Sequence, residues 1–378
     1  MTTRHNPFKP SFGASPYYLA GREELLQDFE LSLMEGPGSP YRAMLISGLR
    51  GVGKTVLLNE VEDKARTHGW VVIRSYPTGD MVSELVSTTI PQLISQLSPP
   101  TQRQLMGGSI AGIGGLRSER HPDAQALEIQ PTLISRLREL ASLVTETGIL
   151  ITLDELQSAH IDQLHRLATA VQDLMRDDLN ISLVCAGLPH GIDTLLQHEG
   201  TTFLRRAYRV DLHEVSDAEV SKTLNITATD SGLPFTTEAL EKAGQLCRGY
   251  PYLIQLVGAL SWSCASLGGA DEITAGHVEQ ISDRAISRLT NHVHRPALRG
   301  VPEGELNFLR AMVRIAEPHT TDAPVKTADI AAELNTTPQG ISVWRARLTT
   351  RDLIAPAGFG RVKFTLPYMS DYIRSLDR

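Results

Sequence analysis

Apolar residues along the chain change period several times, and the changes mark its elements. Short continuous apolar runs read as buried strands. They are Ala43-Met44-Leu45-Ile46-Ser47, Val71-Val72-Ile73 behind Trp70, Ile149-Leu150-Ile151-Thr152-Leu153, Ile181-Ser182-Leu183-Val184-Cys185-Ala186, and residues 208–212. Between them, apolar positions recur at helical spacing. Leu25, Leu26, Phe29 and Leu33 share one face, as do Val56, Leu57, Leu58, Val61 and Ala65. Further helices follow at Leu133, Leu137, Leu140 and Val144, ended by Gly148, and at Ile161, Leu164, Leu167, Val171 and Leu174. Residues 81–97 read as a helical segment kinked at Pro91. Strands alternating with helices predict an α/β fold, a parallel sheet covered on both faces.

The strand pattern stops after residue 212. Residues 213–298 read as an all-α lid, with Ser216 and Thr236 as N-caps, and residues 292–302 as a linker. Residues 299–378 form a last unit. A helix carries Leu306, Phe308, Leu309 and Met312, and a second carries Ile330, Ala331 and Leu334. A third helix starts at the Thr336-Thr337-Pro338-Gln339 turn, and two strands follow around Ala357-Gly358-Phe359-Gly360. This is the pattern of a winged helix-turn-helix. Residues 1–42 read as an extended arm followed by one helix, and residues 43–212 as the sheet core. Within that core, residues 98–130 are rich in glycine: either an inserted mobile loop or hairpin, or a solvated loop without a role.

Chemistry enters at Gly48-Leu49-Arg50-Gly51-Val52-Gly53-Lys54-Thr55. The spacing G-x-x-x-x-G-K-T lets the backbone turn its N–H groups inward onto phosphates. Lys54 then reaches the β- and γ-phosphates, the Thr55 hydroxyl can ligate Mg²⁺, and the helix opening at Val56 adds its positive end. The third strand ends in Asp154-Glu155. Asp154 is the candidate to hold Mg²⁺ with Thr55, and Glu155 the candidate base that orients water. Arg205 and Arg206 lie before the fifth strand. Arg206 reads either as an arginine finger for a neighbouring subunit or as half of a surface pair with Asp211 or Glu199.

Composition narrows the setting. The 378 residues are 41% apolar and carry a formal charge of -7, which argues against a protein that coats nucleic acid over its whole surface. Cys185, Cys247 and Cys264 are odd in number and widely spaced, so neither a disulfide framework nor a zinc ribbon is expected. His160, His165, His292 and His294 suggest no metal set. No apolar leader is visible at the N-terminus, and residues 252–267 read as a buried helix, so the expectation is a cytoplasmic protein without a membrane partner.

These motifs resemble the AAA+ ATPases, in particular the branch that joins origin-recognition initiators to the prokaryotic STAND-like ATPases. Gly48 to Thr55 matches Walker A, Ile149 to Glu155 matches Walker B, and Gly187-Leu188-Pro189 is similar to a sequence of this branch. Leu19-Ala20-Gly21-Arg22-Glu23 looks like the N-terminal box, which implies that Gly21 and Arg22 lie near the adenine. Arg248-Gly249-Tyr250-Pro251 resembles the sensor 2 or GxP segment, which implies Pro251 in the nucleotide site. The resemblance implies an ASCE sheet, a helical lid and a C-terminal winged helix, with ATP and Mg²⁺ as cofactors and assembly of like subunits on ATP binding. It departs at sensor 1, where only Cys185 and Ala186 stand at the end of the fourth strand, and Arg248 precedes the usual sensor 2 position. Slow hydrolysis, suited to a switch, is therefore expected.

The last unit offers Gln339, Arg345, Arg347 and Arg351 on its third helix and Arg361 and Lys363 on its wing. Such residues suit base edges and phosphates of double-stranded DNA. Ten Lys/Arg against nine Asp/Glu over residues 303–378 keep the unit almost neutral. Two readings stay open: an ATP-dependent DNA-binding switch, or a STAND-like signalling ATPase whose winged helix packs on the core or on a partner protein.

Overall fold

The computed structural model describes residues 5–11, 13–77, 79–98, 130–316 and 323–377. The glycine-rich stretch read from sequence lies almost wholly outside them. Five strands form one parallel sheet: β1 (Ala43–Gly48), β2 (Val71–Ser75), β3 (Ile149–Leu153), β4 (Ile181–Gly187) and β5 (Tyr208–Leu212). Their order is β2-β3-β4-β1-β5. β4 therefore stands between the P-loop strand β1 and the acid-bearing strand β3, the insertion that defines an ASCE sheet. Every side chain of β3 and β4 is buried. Runs without alternation form such strands because both faces are covered.

The helices covering the sheet are α1 (Glu23–Glu35), α2 (Lys54–Thr67), α3 (Met81–Glu84), α4 (Ile90–Leu97), α5 (Leu133–Ala141), α6 (Ile161–Arg176) and α7 (Pro189–Gln197). Two expectations are corrected. Between α3 and α4 lies a π-turn, Leu85–Thr89. Pro91 has no N–H for the carbonyl four residues back, and the helix ahead of it widens into that π-turn. α5 ends at Ala141, and Gly148 does not cap it. Gly148 is small for a different reason: a Cβ there would fall 2.6 Å from the Trp70 ring and from the Asn180 carbonyl.

From residue 213 onward helices dominate. They are α8 (Asp217–Asp230), α9 (Thr237–Cys247), α10 (Pro251–Leu267) and α11 (Ala275–Leu289), with Ser216 and Thr236 capping α8 and α9. The stretch expected as a linker is helical. A π-turn, Thr290–His294, carries α11 into α12 (Arg295–Leu298), and the chain leaves the helix only at Arg299. His294 is fully buried there. Among the described residues no helix is long and apolar enough to cross a membrane.

The C-terminal unit is α13 (Glu303–Ile315), β6 (Val325–Lys326), α14 (Thr327–Glu333), α15 (Ser342–Thr350), β7 (Ile354–Pro356), β8 (Arg361–Phe364) and α16 (Met369–Leu376). Its sheet has the order β6-β8-β7. Three helices and a hairpin match the expected winged helix. β6 and α16 are additions, and Gln339 lies in the turn before α15 and not on it.

One contiguous apolar core runs through the lid and this unit, from Val220 on α8 to Ile373 on α16. It also contains Phe8 of the N-terminal arm. The Phe8 ring occupies the space a side chain at Gly258 would need, since a Cβ there would meet it at 2.4 Å. Asn6 donates to the Ala259 carbonyl at 2.9 Å and to Ser263 Oγ at 3.0 Å, which fastens the arm along α10.

Candidate nucleotide site

β1 delivers the loop, and α2 starts at its last residues. Gly51 and Gly53 take left-handed backbone angles, φ 77° and 96°, which allow the tight turn. Lys54 is buried, and its Nζ donates to the Gly48 carbonyl at 2.8 Å and the Leu49 carbonyl at 2.9 Å. Burial holds its ammonium below the ordinary lysine range, opposed by the charges of Glu155, Asp352 and Asp154. Thr55 Oγ1 donates to Asp154 Oδ2 at 2.6 Å. Sequence positions 99 residues apart thus supply a hydroxyl and a carboxylate oxygen side by side. Two hard oxygen ligands from the protein, with the rest from phosphate and water, are what Mg²⁺ takes in such sites.

Asp154 Oδ1 accepts from the Glu155 N–H at 2.8 Å. Glu155 itself is left-handed, φ 53°, a conformation a non-glycine residue rarely holds. Its carboxylate accepts from the Gln157 amide, whose oxygen accepts from the Leu188 N–H at 3.0 Å. Cys185 and Ala186 at the end of β4 are buried and apolar, so the polar group at this end of the strand comes from Gln157. A buried hub behind the loop fixes the two strands. Glu62 on α2 accepts from Arg74 of β2 at 2.5 Å, from Thr152 of β3 at 2.7 Å and from Arg66 at 2.9 Å. Burial would raise the Glu62 carboxyl, but these donors outweigh it and hold it below the ordinary range.

A cavity of about 580 Å³ opens in front of the loop. The stretch from Arg50 to Val56 lines one wall, with Glu155 beside it. Lys9, Pro10, Gly13, Pro16 and Tyr18 of the N-terminal arm, with Arg22, line another, and Pro251, Tyr252, Val293 and Leu366 close the far side. Burial keeps the Arg22 guanidinium below its ordinary value. Gly21 is left-handed, φ 61°, and its N–H donates to Glu219 on α8 at 3.0 Å. Gly48 is not among the cavity-lining residues, and a Cβ there would meet Val52 at 2.7 Å.

Two residues that sequence reasoning did not place in the site touch the loop. The Tyr250 ring lies over Gly51, where a Cβ would come within 2.0 Å of the phenol oxygen. Asp352, from the turn after α15, accepts from the Arg50 N–H at 2.7 Å. No local pattern announces either contact. The one available sign is Asp352 following Arg351 at a tight turn, where it takes φ 59°. Arg248, also left-handed at φ 47°, stacks its guanidinium 3.7 Å above the Tyr368 ring and does not line the cavity.

The remaining candidates scatter. Arg206 is exposed and away from the cavity, and no ion pair joins it to Asp211 or Glu199 among the described residues. Arg205 gives its Nε to the Leu196 carbonyl at 2.8 Å. Gln339, Arg345 and Arg361 are exposed on the C-terminal unit, as is a fully bare Phe359 at the wing tip. Arg347 and Arg351 instead flank the buried Glu305, at 3.6 and 3.3 Å. Lys363 faces Glu214 at 3.5 Å.

An ASCE sheet with a P-loop against a strand-end acid pair defines a P-loop nucleotide-binding fold. Residues 18–184 match the family model described as an AAA ATPase domain, so this stretch of the chain carries a P-loop ATPase domain of that kind. Residues 291–373 match a family described as a domain of unknown function, DUF8462. No curated protein matches the chain. Similar solved structures include the RuvB Holliday junction branch migration motor of Thermotoga maritima, 16% identical, covering 94% of this chain and 95% of that one with a TM-score of 0.46. The ORC2 protein of Aeropyrum pernix in its ADP form is 16% identical over 98% and 97%, with a TM-score of 0.49. Cdc6p of Pyrobaculum aerophilum is 15% identical over 97% and 96%, with a TM-score of 0.47. At such identities the likeness is one of general arrangement.

Proposed function

We propose that the chain binds ATP with Mg²⁺, hydrolyses it slowly to ADP and phosphate, and uses the bound nucleotide to set the position of its C-terminal winged helix. The observation that carries this reading is the 2.6 Å contact between Thr55 and Asp154 with Glu155 adjoining. Here the P-loop N–H groups and Lys54 hold the phosphates. Thr55 and Asp154 would hold the metal ion, which would supply charge neutralisation to the β- and γ-phosphates as ADP leaves. Glu155 takes the proton side of the attacking water. Gly21, Arg22 and Pro251 then lie towards the base, with residues 43–212 as the ATPase core, 213–298 as the lid and 299–378 as the winged helix. Arg206, away from its own cavity, is left to serve the nucleotide of a second copy when subunits associate. Free cysteines, two of them buried, fit a reducing compartment such as the cytoplasm.

Phosphate release with Mg·ATP tests the reading. Lys54→Ala should abolish nucleotide binding. Glu155→Gln should keep binding and cut turnover about 100-fold or more. Turnover unchanged in Glu155→Gln would sink the assignment.

The winged helix has two uses. Double-stranded DNA is the first, supported by the exposed Gln339, Arg345 and Arg361 and by the bare Phe359 of the same unit. Packing on its own core is the second, favoured by the Arg50–Asp352 contact. Titration of duplex DNA with and without ATP separates them: DNA affinity that rises with ATP supports the first, and none at any nucleotide state leaves the second.

A further inference from the structure

The nucleotide chemistry does not use the carboxylate that touches the P-loop from the other end of the chain. Asp352 Oδ2 and the Arg50 N–H meet at 2.7 Å across 302 residues. Asp352 is only 4% exposed. Its own backbone is held on both sides, by its N–H donating to the Thr349 carbonyl at 3.0 Å and by Thr365 Oγ1 donating to its carbonyl at 2.5 Å. The carboxylate is therefore built into position. Burial raises its pKa, while the Arg50 N–H and the charges of Lys54, Arg50 and His190 lower it. Burial is the larger influence and leaves the carboxyl above its ordinary value, while the groups that face it include the loop's own N–H and cations.

Such an N–H and such cations are what a P-loop presents to phosphate oxygens. A carboxylate oxygen and a phosphate oxygen are the same kind of ligand for a backbone N–H. Two such anions beside each other in a partly buried site repel strongly. Asp352 also belongs to the unit whose Leu366 lines the cavity and whose core is continuous with the lid. Whatever moves Asp352 moves that unit.

We propose that Asp352 is a resident anion of the P-loop, displaced by the terminal phosphate of a bound nucleoside triphosphate but not by a diphosphate, so that triphosphate loading frees the C-terminal unit from the loop. This rests on the nucleotide reading of the P-loop above. It makes the acid a sensor of the third phosphate, working by competition.

The test uses the full chain and two probes, Mg·AMP-PNP and Mg·ADP, with affinities read by calorimetry. Asp352→Asn keeps size and tolerates the left-handed backbone; Asp352→Gly is a second variant with the same tolerance. Either should bind AMP-PNP about tenfold more tightly than wild type, the loss of one charge-assisted competitor, with ADP affinity unchanged. Hydrogen exchange of wild type needs no variant: amides in residues 342–356 should exchange faster with AMP-PNP and not with ADP. Equal shifts for both nucleotides, no shift in either variant, or unaltered wild-type exchange would each overturn the latch. Wild type that binds neither probe would overturn the nucleotide reading and the latch together. Binding that is lost in Lys54→Ala while the Asp352 variants behave as wild type overturns the latch alone.

Discussion

The Tyr250 phenol oxygen lies where a Cβ on Gly51 would come within 2.0 Å of it, so a lid side chain rests directly on the phosphate-binding loop. Gly51 is required twice, for its φ of 77° and for this approach. Gly51→Ala should lower folding stability by about 1–3 kcal/mol and should displace the ring. Adding Tyr250→Ala should return the steric part and leave the backbone part. Thermal melts of the two single variants and the double variant measure this, and strict additivity would show that the ring and the loop are not in contact.

The arm is fixed by one aromatic anchor. Phe8→Ala should cost about 3 kcal/mol, because the ring is 4% exposed and fills the groove left by Gly258. Since Lys9, Pro10, Ser11, Gly13, Ala14, Pro16 and Tyr18 line the cavity, nucleotide affinity should fall as well. Loss of stability with full affinity would separate the arm from the site.

Acid should loosen the seam between the lid and the C-terminal unit. Burial holds the His294 imidazole below its ordinary 6.5, against the Pro367 carbonyl and Asp371, which raise it. Nε2 donates to that carbonyl at 2.9 Å. A group with a depressed basic pKa takes up its proton on unfolding first. Its stabilising share is complete above 6.5 and declines as pH falls from there towards the folded value. Melting temperature followed from pH 8 to pH 5 should drop less steeply in His294→Gln than in wild type. Parallel curves would remove His294 from the account.

The basic residues of the C-terminal unit should divide into two groups. Arg347 and Arg351 stand at charge distance from a buried Glu305 whose oxygens make no hydrogen bond. Replacing both arginines by alanine strands that carboxylate and should cost about 3 kcal/mol, regained in part by Glu305→Gln. Replacing Arg345 and Arg361 should change stability by less than about 0.5 kcal/mol and, on the DNA reading proposed above, lower the salt dependence of duplex binding by about two units of slope. The opposite partition would refute the grouping.

The legible parts of the molecule were those with local causes. β3 declared itself through five successive apolar or β-branched residues, and the P-loop through glycines whose spacing the turn itself demands. The α8 and α9 caps, Ser216 and Thr236, were readable because a cap bonds only three residues away. What stayed hidden acts over distance. Asp352 on Arg50, Phe8 on Gly258 and Tyr250 on Gly51 each join segments separated by 199 residues or more, and no periodicity records them. The π-turn at Thr290–His294 misled for a related reason. Two histidines and Pro296 look like a break, yet burial of His294 against Pro367 keeps the helix going.

The unbroken core shared by Phe8, the lid and the winged helix has a mechanical consequence. The sheet core is joined to that body by two peptide crossings, one between Phe8 and α1, the other between β5 and α8. That body also meets the sheet core and its leading segment where Tyr250 rests on Gly51 and where Glu219 accepts from the Gly21 N–H, so release of Asp352 would remove one contact with the P-loop and hand the remaining load to those two.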